Sequence, residues 1–180
     1  MTDVLTLSTY QQSHLPRIRQ TLLDVYAEVY AKEIAADPFF SVERFDQRLT
    51  GHVSAPGWTC VLGEVNGDPV GYAYGSTVRR GGWWNGVQTP MDPELIREDG
   101  SRTFGLFEIM LRAPWRGQGI ARGIHDELMA RRPEERAALT VEQTHPKVRA
   151  LYESWGYRKV GELKPATDSP LYDALLLDLR

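Results

Sequence analysis

Arg116-Gly117-Gln118-Gly119-Ile120-Ala121 is the stretch on which the reading of this chain turns. It follows Thr103 to Leu111, an apolar run of strand character, and it opens a segment in which Ile120, Ile124 and Leu128 recur every fourth residue, the spacing of a helix face. Glycines let main-chain N–H groups approach a ligand closely, and the first turn of a helix adds unpaired donors and the positive end of the dipole. A strand-to-helix turn built this way suits a diphosphate, and Arg116 and Arg122 add charge that phosphate oxygens accept. Other glycine-rich phosphate loops fit less well. Gly-x-x-x-x-Gly-Lys-Ser/Thr does not occur, and a dinucleotide fingerprint needs its third glycine at position 122, where Arg122 stands; Gly123 does not restore the spacing. On spacing alone, an ordinary tight turn is an equal reading.

Working outward, the helix from Ile120 to Arg132 stops at Arg131-Arg132-Pro133, two cations and a breaker. Ala138 to Glu142 reads as a strand, Pro146 to Trp155 as a helix closed by Gly156, and Tyr157 to Leu163 and Leu171 to Leu179 as the last strands. Towards the N-terminus, Val4 to Leu7 opens a strand. Leu15, Ile18, Leu22, Val25 and Val29 mark an amphipathic helix with Pro16 in its first turn. Asp37-Pro38 interrupts it, and a second helix begins near Ser41 with Phe45, Leu49 and Val53 on one face. Trp58 to Val65 and Val70 to Tyr74 flank Asn66-Gly67 and predict a hairpin. Residues 79–101 form a long loop with a helical turn near Pro93 to Arg97; loops of that length are often functional. The alternation from Thr103 to Tyr157 predicts parallel central strands in an α+β fold.

The 180 residues predict one domain over 1–180, long enough for a sizeable core. Hydrophobic residues at 42% and charged residues at 25% exclude a disordered chain. No apolar run approaches the roughly eighteen residues of a membrane span, and Met1 to Thr9 lack an export pattern; the expectation is a cytoplasmic protein without a membrane partner. Cys60 is the sole cysteine, which excludes an intrachain disulfide and a Cys-rich metal centre, and no His/Asp/Glu spacing suits a metal. A net charge of -3 argues against nucleic acid as the main partner.

Arg116 to Ala121 resembles the Arg/Gln-x-x-Gly-x-Gly/Ala signature of the GNAT N-acetyltransferase superfamily, in which this loop holds the diphosphate of coenzyme A. Ile109-Met110-Leu111-Arg112-Ala113-Pro114 is similar to the strand that precedes it, with Pro114 one place later than the commonest form. Ala150-Leu151-Tyr152-Glu153-Ser154-Trp155-Gly156-Tyr157 resembles the family's Leu-Tyr-x-x-x-Gly-Phe segment, with Tyr157 for phenylalanine. Two separated motifs in the right order make the resemblance specific, and the element order fits over nearly the whole chain. It implies a GNAT-like fold, a mixed central β-sheet of about 6–7 strands flanked by about 4 helices.

The resemblance further implies an acetyl-CoA-dependent N-acetyltransferase that passes acetyl directly to a primary amine of a small molecule or peptide, without an acyl-enzyme. Arg116, Gly117, Gln118, Gly119, Ile120 and Ala121 would hold the diphosphate. Ile109 and Leu111 would bind pantetheine through main-chain hydrogen bonds, with an N–H near Leu111 aimed at the thioester oxygen. Tyr152 is the candidate general acid: a phenol of pKa about 10 can protonate a thiolate whose acid has pKa about 8.5. Glu108 is the candidate base, because a partly buried carboxylate within an apolar strand titrates high; a carboxylate paired with a nearby arginine is the other reading of this residue, and His145 or ordered water are the other candidate bases. It stands three positions before Leu111 and would face the opposite side of an unbroken strand; a β-bulge, common here in the family, would change that parity. His145 occupies the place of a frequent Asn that contacts pantetheine. A non-catalytic acyl-CoA-binding regulatory module is the alternative, and a dinucleotide-dependent oxidoreductase is a weaker third.

Other residues carry weaker signals. His125 reads as packing or surface, His14 and His52 carry no signal, and Glu142 reads as structural or substrate-facing. Asp24 and Glu28, with Tyr26 and Tyr30, read first as a solvated helix face and second as an attraction for a cationic amine. Trp83 and Trp84 read as a lid or aromatic wall, or equally as core packing or a homodimer contact.

Overall fold

The computed structural model describes residues 2–180. Its seven strands form a mixed sheet in the order β1-β2-β3-β4-β5-β7-β6, and the chain divides into two compact units.

The first unit runs up to Ser76 and resumes over Phe107–Arg131. It holds β1 (Leu5–Gln11), α1 (Leu15–Val29), α2 (Ala31–Ala36), α3 (Val42–Val53), β2 (Thr59–Val65), nearly all of β3 (Asp68–Thr77), the second half of β4 (Thr103–Leu111) and α4 (Ile120–Ala130). β1 and β2 pair antiparallel, and β2 turns into β3 at Asn66 and Gly67, both at positive φ, which is the hairpin that an Asn-Gly pair selects. α1 buries Leu15, Ile18, Leu22, Val25 and Tyr26. α3 is capped by the Ser41 hydroxyl, which accepts the Arg44 N–H, and buries Phe45, Leu49 and Val53. These residues pack with Trp58, Cys60, Leu62, Tyr72, Tyr74 and Met110 of the strands, and the Tyr26 and Phe45 rings stack at 3.9 Å. α4 lies against the opposite side of β2, since alternate strand residues face opposite ways. A Cβ on Gly63 would come within 2.9 Å of Ile124, so glycine there is what lets helix and strand close up.

The second unit spans Thr77–Leu106 and Arg132–Arg180. It holds the first half of β4, β5 (Arg136–Glu142), α5 (Pro146–Ser154), β6 (Arg158–Leu163) and β7 (Tyr172–Asp178). β4 and β5 pair in parallel, as the alternation predicts, with Thr103 to Gly105 opposite Arg136 to Ala138; β7 runs antiparallel to both β5 and β6. α5 ends at Gly156, φ +102, the left-handed closure that glycine tolerates. The long loop docks on β6 through Gln88 N–H to the Glu162 carbonyl and Lys164 N–H to the Gly86 carbonyl.

Among the described residues, five α-helices stand where about four are expected. The addition is α2, a helix with no buried residue and therefore no periodic apolar signature. α4 ends at Ala130, two residues short of Arg132, β5 begins two residues before Ala138, and β1 extends to Gln11. The turn near Pro93 is present as Leu95 and Ile96 N–H bonds to the Asp92 carbonyl.

Candidate active site

Between β4 and α4 the chain makes a 3-10 turn at Ala113–Trp115, extends at Arg116 and enters the helix through Gly117 and Gly119 at φ +74 and +80. A Cβ on either glycine would meet nothing within 4 Å. Backbone conformation, not crowding, is what requires glycine here, since a side chain disfavours the left-handed region. Arg116 to Gly119 are exposed, Ala121 is half-buried and Ile120 is buried. The Gly123 N–H reaches the Gly119 carbonyl and closes the first turn of α4, so the N–H groups ahead of it have no intrahelical acceptor. Two side chains brace the loop: Arg116 Nε donates to the Leu111 carbonyl at 3.1 Å, and Gln118 Nε2 to the Pro114 carbonyl at 3.1 Å. Arg122 turns along the helix to Asp126.

β4 carries an extra residue. The Val78 N–H bonds the Thr103 carbonyl and the Arg112 N–H bonds the Val70 carbonyl. Those bonds bracket eight steps along β3 and nine along β4, the count of a β-bulge on β4. Side chains agree: Phe107 stacks on His52 of α3 at 4.5 Å, and the next residue, Glu108, acts electrostatically on Tyr30, Tyr72 and Tyr74. Consecutive residues address one helical layer. Glu108 is within electrostatic reach of those three phenols, and burial pushes its carboxyl up to about 7 against the opposing pull of Arg48. Further along β4, Ile109 is half-buried and Leu111 buried. Gly71 of β3 lets the Met110–Leu111 main chain approach, as a Cβ there would lie 2.4 Å from the Met110 carbonyl oxygen.

In the second unit, Tyr152 is buried on α5 with its ring edge-on to Trp155 at 5.3 Å and Tyr157 at 5.8 Å. His145 is exposed at the N-cap of α5, its Nδ1 4.0 Å from Glu142. Asp173 of β7, buried, ties this region together: it accepts from Gln143 at 2.8 Å, Arg149 of α5 at 3.1 Å and Lys159 of β6 at 2.8 Å.

Several sequence-level candidates have structural tasks. Glu28 pairs with Arg112 at 3.1 Å and Asp24 accepts from Gln20. Tyr26 is buried and donates to the Phe40 carbonyl. Trp84 donates Nε1 to the buried Glu98 at 2.8 Å, and the Trp83 indole lies on Gly105, where a Cβ would stand 2.6 Å from the ring. His125 is buried beside Asp126, and His14 Nδ1 accepts the Gln11 N–H. His52 is the residue the sequence passes over: its Nδ1 lies 3.0 Å from the Tyr74 hydroxyl, and burial, helped by Arg48, holds its pKa below the usual imidazole value. Its one clue is its place on α3 three residues beyond Leu49, at the edge of the buried face. Among the described residues no three His, Cys, Asp or Glu side chains converge as metal ligands, and no helix is long and apolar enough to cross a membrane.

A bulged strand thus leads into a left-handed glycine loop and the helix it opens. The family model for the GNAT acetyltransferases matches residues 18–157, and the chain belongs to that family. Solved structures share the fold. A GNAT-family protein from Desulfovibrio desulfuricans has a TM-score of 0.65 at 15% identity, covering 98% of this chain and 100% of the other. The ribosomal-protein-S18-alanine N-acetyltransferase of Escherichia coli gives 0.62 at 17%, covering 98% and 94%. Aminoglycoside 6'-acetyltransferase type Ii gives 0.67 at 14%, covering 97% of each chain. No curated protein sequence matches.

Proposed function

We propose that the protein is a cytoplasmic acetyl-CoA-dependent N-acetyltransferase that passes the acetyl group directly to a primary amine of a small molecule or peptide. The observation that carries this reading is the Arg116–Ala121 loop: two exposed glycines at positive φ lead into unpaired helical N–H groups, the arrangement that a diphosphate fits. Arg116, Gly117, Gln118, Gly119, Ile120 and Ala121 hold that group. Ile109 and Leu111 present main-chain groups to pantetheine, and His145 contacts it from the N-cap of α5.

In the reaction the amine nitrogen attacks the thioester carbonyl. A C–N bond forms, the C–S bond breaks, Glu108 takes the amine proton and Tyr152 returns one to the departing thiolate. A carboxyl at about 7 suits the base, because a catalytic group works best with its pKa near the operating pH. The main-chain N–H near Leu111 stabilises the oxyanion. The test is incubation with acetyl-CoA and a broad amine panel, following free CoA and acetylated product. Turnover that falls in Tyr152→Phe supports the enzyme. Thermal stabilisation by CoA without product from any amine points to a regulatory acyl-CoA-binding module, and stabilisation by NAD but not CoA overturns both.

A further inference from the structure

Arg48 stands apart from the other cations of the molecule. Among the described residues, seven other buried or half-buried arginines and lysines each hold a carboxylate within ion-pair distance, from Arg19 on Asp46 at 2.6 Å to Arg102 on Glu135 at 3.4 Å. Arg48 is half-buried on α3 and has none within 4.0 Å. Its guanidinium is nevertheless fixed. It lies 5.6 Å from the centroid of the Phe39 ring and 5.6 Å from that of Phe45, and Phe45 is itself stacked on Tyr26. Arg48 also hydrogen-bonds the Tyr26 phenol, and neither aromatic faces nor a neutral hydroxyl cancel its charge.

The surroundings of Arg48 point it at the candidate base. His52 is one helical turn further along α3, locked to Tyr74 and stacked on Phe107, the residue before Glu108. Arg48 and Glu108 also feel each other electrostatically. Glu33 of α2 acts on the same Tyr26 and Tyr30 phenols but is exposed. His52 is held neutral by burial, so it supplies no competing charge at neutral pH. A half-buried guanidinium without a counter-ion is an incomplete anion site, and its planar fork matches a carboxylate in two-point hydrogen bonding.

We propose that Arg48 binds a carboxylate of the acceptor, so that the preferred substrate is a primary amine that also carries a carboxylate. This rests on the acetyl-transfer reading above and extends it to substrate class. The assignment separates two kinds of acceptor. A polyamine would bring positive charge to an arginine that lacks an ion-pair partner; an amino acid or an amine with an acid arm would supply one.

The experiment compares matched acceptors with the 180-residue protein and acetyl-CoA: phenylalanine against phenethylamine, and γ-aminobutyrate against propylamine. The wild-type protein is expected to favour the acid of at least one pair by tenfold or more in kcat/KM. Arg48→Gln is expected to abolish that preference through KM of the acid, with rates compared at a pH well above 7, where Glu108 is ionised with or without the guanidinium. Arg48→Lys should restore part of it. A thermal melt of each variant establishes that it is folded. Equal or better turnover of the decarboxylated amines by the wild type overturns the carboxylate assignment while leaving acetyl transfer intact. So does an Arg48→Gln variant that loses both members of a pair alike. Absence of turnover with every amine, despite CoA binding, removes the acetyl-transfer reading and this inference with it.

Discussion

Phe107 and Glu108 are neighbours on β4, yet both face the layer made by α1 and α3: Phe107 stacks on His52 at 4.5 Å, and Glu108 acts on Tyr30, Tyr72 and Tyr74. A regular strand would send them to opposite sides. The extra residue on β4 removes that alternation and leaves a carboxyl on the side of those phenols, where burial raises it from 4.5 to about 7.

That shift fixes two pH dependences. As a base, Glu108 must be ionised, so kcat/KM should rise with pH through about 7 and then level off. Glu108→Gln should lose this limb and about 10²-fold in kcat. For stability the sign is opposite to that of a salt-bridged carboxylate. The folded protein keeps a proton that the unfolded chain releases earlier. The contribution of Glu108 is therefore most favourable below about pH 4.5 and is lost as pH rises to about 7. Above that window Glu108→Gln should be more stable than the wild type by on the order of 2 kcal/mol, read from urea melts at pH 5 and pH 8. A variant that keeps the wild-type activity limb would exclude Glu108 as the base.

Tyr152 touches Trp155 and Tyr157 through its ring, and Tyr152→Phe preserves those contacts. Its effect should fall on chemistry. We expect kcat to drop by about 10- to 100-fold, with KM for acetyl-CoA within about twofold. His145→Asn should do the reverse, altering KM for acetyl-CoA more than kcat, if His145 contacts the cofactor as proposed. Steady-state kinetics of the two variants distinguish the roles; a Tyr152→Phe enzyme with unchanged kcat would remove the phenol from the mechanism.

How much of this the sequence makes legible depends on the range of the interaction. α1 and α3 are visible because Leu15, Ile18 and Leu22, or Phe45, Leu49 and Val53, repeat within a few residues. The β2–β3 hairpin is visible because Asn66-Gly67 encodes its own turn. The glycine loop is likewise local. The bulge is not, because it exists only as a mismatch of count between β4 and β3; the family resemblance raises it, and the residues of β4 alone do not. Arg48 and His52 look like polar positions at the edge of an amphipathic helix, and their contacts lie outside it, with Phe39 before the helix and with Tyr74 and Phe107 on later strands. α2 buries nothing and so leaves no periodic trace.

Gly117 and Gly119 separate a loop that binds from a loop that merely turns. Because a Cβ would meet no atom within 4 Å at either site, alanine introduces only left-handed strain, about 1–2 kcal/mol. Gly119→Ala should therefore unfold at a slightly lower temperature and still fold. If the main chain cradles a diphosphate, the methyl group intrudes where the ligand sits, and affinity for CoA by calorimetry should fall at least tenfold. Unchanged affinity alongside the small stability loss would make the loop a plain strand-to-helix turn.

The second unit depends on a different carboxylate. Glu98 Oε1 accepts from Trp84 Nε1 at 2.8 Å, Thr103 Oγ1 at 2.8 Å and Arg136 Nη2 at 2.9 Å, and the Glu98 and Arg136 side chains are 0% and 3% exposed. The long loop is thus pinned to β4 and β5 by one buried ion. Removing it leaves Arg136 buried without a counter-charge, which typically costs about 3–5 kcal/mol; Glu98→Ala should lose that much in a urea melt. Replacing both partners, Glu98→Met with Arg136→Met, should recover a large part, because the penalty lies in the orphaned charge rather than in the missing bond. Tryptophan fluorescence supplies an independent readout, since Trp84 loses its acceptor in both variants. If Glu98→Ala melts like the wild type, the loop is held by the Trp83 contact with Gly105 and the β6 hydrogen bonds instead.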